Sequence, residues 1–245
     1  VFGSTGNGGN ESTGMRGDVS AWIGAEMGIP YLHSHFMRLY RNGTSFRPIL
    51  YDLEQPNRDY ARSWFGGNDP TDDLYKIAVW FEFQDDNNSF QATSATLERF
   101  VSGGAYKLGR YRWNWQQRPG TGTSNNYTNI FNLAAAANNT SDRVTRLMNL
   151  ADMEQWMRVF AYNRVLGNWD AWTFNVGQNM FLYVPAGGRA SLIPWDIDFV
   201  LGDGNGTTDA LWGGQDPVLN QFFSLPVYRR MLWRAFQDAV NGPMR

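Results

Sequence analysis

The sequence predicts an α+β fold with two lobes and a cleft between them. Short β-rich runs fill most of the first half of the chain, and an Asn-Gly pair at 42–43 joins two of them, which is the strongest short-range signal for a β-hairpin. Helical periodicity dominates the second half, where it is interrupted by two short apolar runs. We therefore expect a Gly-rich linker at 1–14, a β-rich lobe at 15–115 and a helical lobe at 116–245.

The composition excludes several classes of site. The net charge of the 245-residue chain is −2, which does not favour binding to nucleic acid or to a membrane surface. The absence of cysteine excludes disulfides, thiolate metal sites and cysteine nucleophiles. His33 and His35 are the only histidines, so few residues are available for a histidine zinc site or a Ser-His-Asp triad. Any function that needs a lysine falls to Lys76 or Lys107.

The ends of the sequence give two further expectations. No apolar run approaches the length of about 18 residues that a transmembrane helix needs, and no signal peptide is recognisable. The chain begins at Val1 rather than at a methionine, so we expect it to be a processed or truncated form, or the ordered part, of a longer chain.

In the first half, the pattern begins with a helix at 16–28 whose apolar face carries Val19, Trp22, Ile23 and Met27. Two antiparallel strands, at 35–40 and 48–53, flank the Asn-Gly turn. The remaining predictions are a short helix at 57–64, a strand at 74–83 that carries Lys76, a short helix at 92–101 and a strand at 106–115.

In the second half, a loop rich in Pro, Gly, Thr and Asn at 118–127 precedes a series of helices. Asp152 is placed to cap the longest of them. The predicted helices lie at 128–137, 143–148, 153–166, 217–223 and 227–241.

The chemistry-bearing residues concentrate in the stretch 161–204. Asp170 follows the long helix and Asn175 comes five residues later. After a short apolar strand and a Gly-rich turn, a second apolar strand ends in Asp196 and Asp198. These two acids lie on the same side of an extended segment, where they would repel each other unless a cation lay between them.

This order of residues suits phosphoryl transfer. The reaction needs a metal ion on the nucleotide phosphates and a carboxylate that orients the attacking hydroxyl. Mg²⁺ prefers oxygen ligands and takes only one or two carboxylates from the protein. A D-x-x-x-x-N loop followed by a further Asp after two strands is the arrangement of the protein-kinase catalytic loop and its metal-binding Asp.

The chain resembles the CotH-type kinases, which are atypical protein kinases of the secretory pathway first known from bacterial spore coats. The resemblance rests on LGNWD at 166–170, NMFLY at 179–183 and IPWDIDFVLG at 193–202, and GNWD and IPWDID are its most specific parts. Further similarity begins at Met15 and extends to about Val240. The resemblance implies an atypical kinase-like fold that transfers the γ-phosphoryl group of ATP to Ser or Thr of a secreted or surface protein, with Mg²⁺ as the metal and Mn²⁺ or Ca²⁺ as alternatives. It also implies an extracellular or cell-surface location.

The resemblance assigns roles by residue. Asp170 falls on the catalytic base, and Asp196 on the metal-binding Asp, with Asp198 as a second ligand or a residue that orients the first. Asn175 is the predicted metal-binding Asn, and Asn179 is its alternative.

The nucleotide side of the site is predicted from fewer residues. Lys76 is the candidate for contact with the phosphates, Glu54 is its expected ion-pair partner, and Lys107 is the rival lysine.

One departure from the family pattern favours a different class of function. Members of the family usually begin with a strand that carries an Arg-Gly-Asn-Ser-like motif followed by several lysines, and this sequence has none. We therefore expect the N-terminal lobe to lack its first strand or strands. The alternative function is a catalytically inactive extracellular module that binds Ca²⁺ or a protein partner through the same acids.

Overall fold

The computed structural model of the chain describes residues 2–4, 15–66, 69–83, 90–118, 122–174, 176–197, 199–202 and 210–245. In these ranges the helices are α1 (Met15–Glu26), α2 (Arg58–Phe65), α3 (Leu108–Asn114), α4 (Thr128–Ala137), α5 (Arg143–Leu150), α6 (Met153–Leu166), α7 (Pro217–Phe222) and α8 (Pro226–Asn241). The strands are β1 (Phe2–Ser4), β2 (Ser34–Arg41), β3 (Thr44–Leu53), β4 (Asp73–Ile77), β5 (Trp80–Phe83), β6 (Phe90–Thr93), β7 (Val101–Ser102), β8 (Ala105–Tyr106), β9 (Trp115–Gln117), β10 (Met180–Val184) and β11 (Ser191–Pro194).

The strands form antiparallel sheets, so the fold is α+β as predicted. The first sheet has the order β1-β3-β2, the second has the order β11-β10-β4-β9, and β5-β6 and β7-β8 are hairpins. The four-stranded sheet takes β4 and β9 from the first half of the chain and β10 and β11 from the second. The predicted division at 115/116 runs through β9, and the two-lobed arrangement stays a prediction.

The four-stranded sheet separates two apolar clusters because successive side chains of a strand point to opposite faces. Tyr75, on β4, belongs with Leu182 to the main core, which α6 covers. Leu74 and Phe181 face the other way and pack in a smaller cluster with Tyr60 of α2. Full burial of side chains of this size stabilises the fold by about 1.5–3 kcal/mol each.

Helix α6 is the central helix, and it is buried on most of its circumference. Asp152 caps it as predicted by accepting a hydrogen bond from Gln155 N at 3.3 Å. Gly167 ends it in the left-handed conformation, with φ 68°. Because α6 is fixed between the sheet and α8, the loop that follows Gly167 starts from a rigid base.

Most predicted helices and the first hairpin are confirmed. Helix α4 and helix α6 have the predicted bounds, and the other predicted helices of the second half differ by one or two residues at an end. Asn42 and Gly43 adopt positive φ values of 51° and 77° between β2 and β3, which is the requirement of a tight two-residue hairpin turn. Trp22 was predicted on the apolar face of helix α1 with Ile23 and Met27, but its side chain is 52% exposed while theirs are buried.

Three local predictions are wrong. The segment 92–101 forms no helix, since residues 94–100 connect β6 to β7 without regular structure. The segment 106–115 is mainly helix α3 rather than a strand, because Tyr111 and Asn114 are buried at helical spacing. The predicted strand 74–83 is two strands, β4 and β5, in different sheets.

At the N-terminus, the predicted linker contains β1, which pairs with β3. The rest of 1–14 lies outside the described residues. No helix in the described part of the chain has the length and apolar character that crossing a membrane requires.

Candidate functional site

The loop that carries Asp170 begins at the C-terminal end of α6. Gly167 N donates to Arg164 O, and Asn168 N donates to Asn163 O at 2.8 Å, so the free carbonyl groups at the helix end are satisfied as the chain turns away. Glycine suits this position because its φ of 68° would strain most other residues. The turn places Trp169 and Asp170 just beyond the helix end.

A buried polar network fixes this loop to α6 from below. Asn163 Nδ2 donates to Thr173 Oγ1 at 2.7 Å, and Asn168 Nδ2 donates to Asn163 Oδ1 at 3.0 Å. All three side chains are at most 2% exposed. A buried polar group without its partner costs about 1–3 kcal/mol, so this network strongly favours one loop conformation.

Trp172 anchors the middle of the loop in the main core. Its ring lies edge-on to Trp115 and Trp156, with centroids 5.3 and 5.8 Å away. Its backbone N–H donates to Gln178 O at 2.9 Å, which closes the loop on itself. Nearby, Gly177 lies so close to the backbone of residue 95 that a Cβ atom there would collide with it.

Asp216 ties the loop to two other segments. Its carboxylate accepts hydrogen bonds from Leu97 N at 2.9 Å, from Val218 N at 2.8 Å, from Leu219 N at 3.2 Å and from Trp172 Nε1 at 3.3 Å. Burial raises the pKa of this carboxyl from 3.8 to about 6, although the N–H donors oppose the shift. The sequence around Asp216 gives no functional signal, since an Asp before a helix is an ordinary N-cap.

The carboxylate of Asp170 is held by two side-chain amides. Gln178 Nε2 donates to Asp170 Oδ1 at 2.7 Å, and Asn179 Nδ2 donates to Asp170 Oδ2 at 2.8 Å. A carboxylate only accepts hydrogen bonds, so Asn179 faces Asp170 with its Nδ2. The Oδ1 of Asn179 therefore points away from Asp170. Both oxygens of Asp170 are therefore oriented, and each keeps a further lone pair.

Asn179 also pairs with the residue before Asp196. Trp195 N donates to Asn179 O at 3.1 Å, which extends the β10–β11 pairing by one residue beyond Met180 and Pro194. Asn179 and Asp196 have φ values of 58° and 56°, in the left-handed region that few non-glycine residues adopt. Both residues turn the chain at the same end of the β10–β11 hairpin, so Asp196 directly follows the residue that pairs with Asn179, and Asn179 in turn holds Asp170. We refer to Asp170, Asn179 and Asp196 as the candidate cluster.

Two of the predicted metal ligands, Asn175 and Asp198, lie outside the described residues. Among the residues that the structure describes, Asn179, the alternative at the sequence level, lies against Asp170. Its signal in the sequence is its position directly before an apolar strand, while Asn175 was favoured on spacing alone.

Lys76 and Glu54 are not brought together as an ion pair. Lys76 is half-buried on β4, directly opposite Phe181. Glu54 directly follows β3 of the three-stranded sheet, where its carboxylate accepts from His33 N at 3.1 Å and its backbone N–H donates to His33 O. The rival, Lys107, precedes α3 and donates its backbone N–H to Phe100 O.

Arg118 is a second cation on the same face of the sheet as Lys76. Its guanidinium lies over the ring of Phe181, 5.9 Å from the centroid, and its backbone N–H donates to Leu74 O. From the sequence, Arg118 is predicted only as the start of a loop. Phe181 also contacts Trp195 edge-on, so this face leads towards Asp196.

The donor chemistry of the cluster fits a magnesium ion bound to a nucleotide. Among the described residues, no three His, Asp or Glu side chains form a group that could hold a metal ion by themselves. Asn179 Oδ1 and the Asp196 carboxylate are hard oxygen donors, and Mg²⁺ at a nucleotide takes its remaining ligands from phosphate and water.

The chain matches the family model described as CotH kinase protein over residues 6–244. It belongs to the CotH kinase family. No curated protein matches the chain. Because the match covers nearly the whole chain, the cluster around Asp170 lies within the CotH kinase region. Membership implies a kinase-like function and, in general, the use of ATP with a divalent metal.

Proposed function

We propose that this protein is a metal-dependent protein kinase that transfers the γ-phosphoryl group of ATP to Ser or Thr of a protein substrate. The observation that carries the proposal is the orientation of the Asp170 carboxylate by Gln178 and Asn179 at the end of α6. A general base must be fixed in geometry before its basicity matters, and positioning supplies most of the catalysis in phosphoryl transfer.

In this proposal, Asp170 accepts the proton of the substrate hydroxyl as its oxygen attacks the γ-phosphorus and the bond to the β-phosphate oxygen breaks. Asn179 has two functions, since its Nδ2 orients Asp170 and its Oδ1 is free to act as a metal ligand. Asp196 is the carboxylate ligand, and Asp198 remains its proposed companion. The bound metal would neutralise negative charge on the phosphates.

Lys76 and Arg118 are the proposed contacts to the ATP phosphates. Both side chains lie on the face of the sheet that carries Phe181 and Trp195. Cations on this face favour the binding of a polyphosphate. Glu54 is no longer needed as the partner of Lys76, because it is engaged with His33.

The location is a further part of the proposal. The resemblance to kinases of the secretory pathway supports a secreted or surface protein as the substrate. It also supports an extracellular or cell-surface location of the kinase.

Transfer of labelled phosphate from γ-labelled ATP tests the proposal. With Mg²⁺ and a peptide that contains Ser and Thr, we expect transfer by the native protein and a loss of at least about 10²-fold in Asp170→Ala. Asp142→Asn is the matched control, because Asp142 is an exposed acid that directly precedes α5 and pairs with Arg146 of that helix, away from the Asp170 loop.

The alternative is an inactive module that binds Ca²⁺. If the native protein transfers no phosphate and shows no ATP binding, while Ca²⁺ alone raises its melting temperature, the kinase proposal is wrong and the module is favoured.

A further inference from the structure

Two exposed tryptophans meet on the surface formed by α8 and the segment 210–213. Trp212 and Trp233 are each 41% exposed, and their rings are edge-on with centroids 6.0 Å apart. Leu211 beside them is 46% exposed. Contiguous exposed apolar side chains commonly mark an interaction site, and tryptophan is enriched where binding energy concentrates.

Two arginines share the exposed face of α8 with Trp233. Arg229 and Arg230 precede it by four and three residues, which places all three side chains on one side of the helix. Neither arginine forms an ion pair with an acidic side chain in the part of the chain that the structure describes. In contrast, Arg234 on the flank of the same helix pairs with Glu154 at 3.3 Å.

The same surface is connected to the Asp170 loop through Arg164. Its guanidinium donates to Ala210 O at 2.8 Å and to Gly213 O, and so holds the segment that carries Trp212. The guanidinium also lies over the ring of Phe174, 3.6 Å from the centroid. Phe174 belongs to the loop of Asp170, so a chain bound on this surface would be held next to the candidate catalytic loop.

We propose that Leu211, Trp212, Arg229, Arg230 and Trp233 form a docking surface for an acidic segment of the protein substrate that also carries an aromatic or aliphatic side chain. The inference rests on the proposed kinase function and deepens it by naming the class of substrate. The unpaired arginines determine the charge of the partner, and the tryptophan pair provides an apolar contact. Buried Trp and Arg side chains typically dominate such interfaces.

Binding is tested with the whole protein and short synthetic peptides, with tryptophan fluorescence and calorimetry as the readouts. The probe is a Glu-rich peptide with one Phe and one Ser. Its two matched controls replace every Glu by Gln or the Phe by Gly. We expect the native protein to bind the Glu–Phe peptide, with both controls at least about tenfold weaker and affinity falling as salt is raised.

Four variants assign the binding to this surface. Trp212→Ser, Trp233→Ser and the double variant Arg229→Gln with Arg230→Gln should each weaken peptide binding at least about tenfold. Trp22→Ser, which removes an exposed tryptophan from α1, should leave it unchanged.

Kinetics separate this inference from the kinase proposal. With the Ser-containing Glu–Phe peptide as phosphate acceptor, the double arginine variant should raise KM for the peptide at least about tenfold with little change in kcat. A double variant of Arg99→Gln with Arg112→Gln, which removes two exposed charges elsewhere, should leave both unchanged.

Phosphate transfer without preference for the Glu–Phe peptide would leave the kinase proposal standing and overturn the docking surface. Preferential binding of a single-stranded oligonucleotide, or a dimer that Trp233→Ser dissociates, would also overturn it in favour of those partners. Peptide binding without phosphate transfer would overturn the kinase function and leave only a binding surface, which contradicts the inference as stated.

Discussion

At the residue scale, the side chain and the backbone of Asn179 have separate tasks. Its amide nitrogen orients Asp170, while its φ of 58° turns the chain next to Asp196. Asparagine tolerates this conformation better than most residues, and glycine adopts it without strain. Substitutions at this one position can therefore separate the chemistry from the fold.

We predict that Asn179→Ala is less stable than Asn179→Gly by about 1 kcal/mol, because only alanine retains the left-handed strain. Both variants should lose stabilisation by ATP with Mg²⁺, which chemical denaturation with and without nucleotide would measure. Asn175→Ala is the matched comparison. If it removes nucleotide stabilisation and Asn179→Gly does not, then Asn175 is the metal ligand.

Asp216 gives a prediction about pH. Replacement by Asn would present an NH₂ group to N–H donors, so Asp216→Asn should lower the free energy of unfolding at pH 7 by about 1–3 kcal/mol. In the native protein the pKa of this carboxyl is raised from 3.8 to about 6, so the folded state binds the proton more tightly than the unfolded state. The stability that this proton contributes is fully present below about pH 4 and is lost as the pH rises through 6.

Urea denaturation of both proteins from pH 4 to pH 7 would measure this effect. The stability difference between the native protein and Asp216→Asn should shrink as the pH rises from 4 to 6. A difference that stays constant over this range would show that Asp216 has an ordinary pKa.

At the element scale, α6 and the loop after it act as one unit because the Asn163 network lies between them. Thr173→Val keeps the shape of the side chain but leaves Asn163 Nδ2 without its oxygen acceptor. We predict a loss of about 1–3 kcal/mol in the free energy of unfolding and a lower kcat for phosphate transfer. Thr145→Val, at an exposed position of α5, is the control and should change neither; equal effects of the two substitutions would contradict a role for the network.

The helices with clear ends were the elements that the sequence could predict. Helix α6 has a capping Asp152 and a terminal Gly167, and both are local signals. The helix α3 segment was mistaken for a strand because its aromatic residues alternate with polar ones. Burial of Tyr111 against Phe131 favours the helix, and this contact comes from α4, which lies later in the chain.

The candidate site was predictable only in part, for the same reason. Asp170 and Asp196 could be chosen because each lies within a recognisable motif. Arg118 could not, since it reaches Phe181 only through the order of strands in the four-stranded sheet. The expected ion pair of Lys76 with Glu54 is not formed, because Lys76 lies on β4 and Glu54 follows β3, where it is bonded to His33.

At the scale of the whole molecule, the shared sheet joins the two halves of the chain. Strand β4 lies between β9 and β10, and the main core extends from Ile23 to Ala239. We predict a single unfolding transition in which near-ultraviolet and far-ultraviolet circular dichroism change together. Two separate transitions would instead favour independent lobes divided near residue 115.

The most direct test of the site is the melting temperature of the protein in the presence of ATP, Mg²⁺ or both. A ligand that binds only the folded state stabilises it in proportion to its affinity and concentration. We predict that ATP and Mg²⁺ together raise the melting temperature of the native protein. Asp196→Asn should abolish this increase. Asp170→Ala should retain the increase but lose phosphate transfer. An equal increase in the native protein and Asp196→Asn, or none in either, would contradict the assignment of Asp170, Asn179 and Asp196 to one nucleotide–metal site.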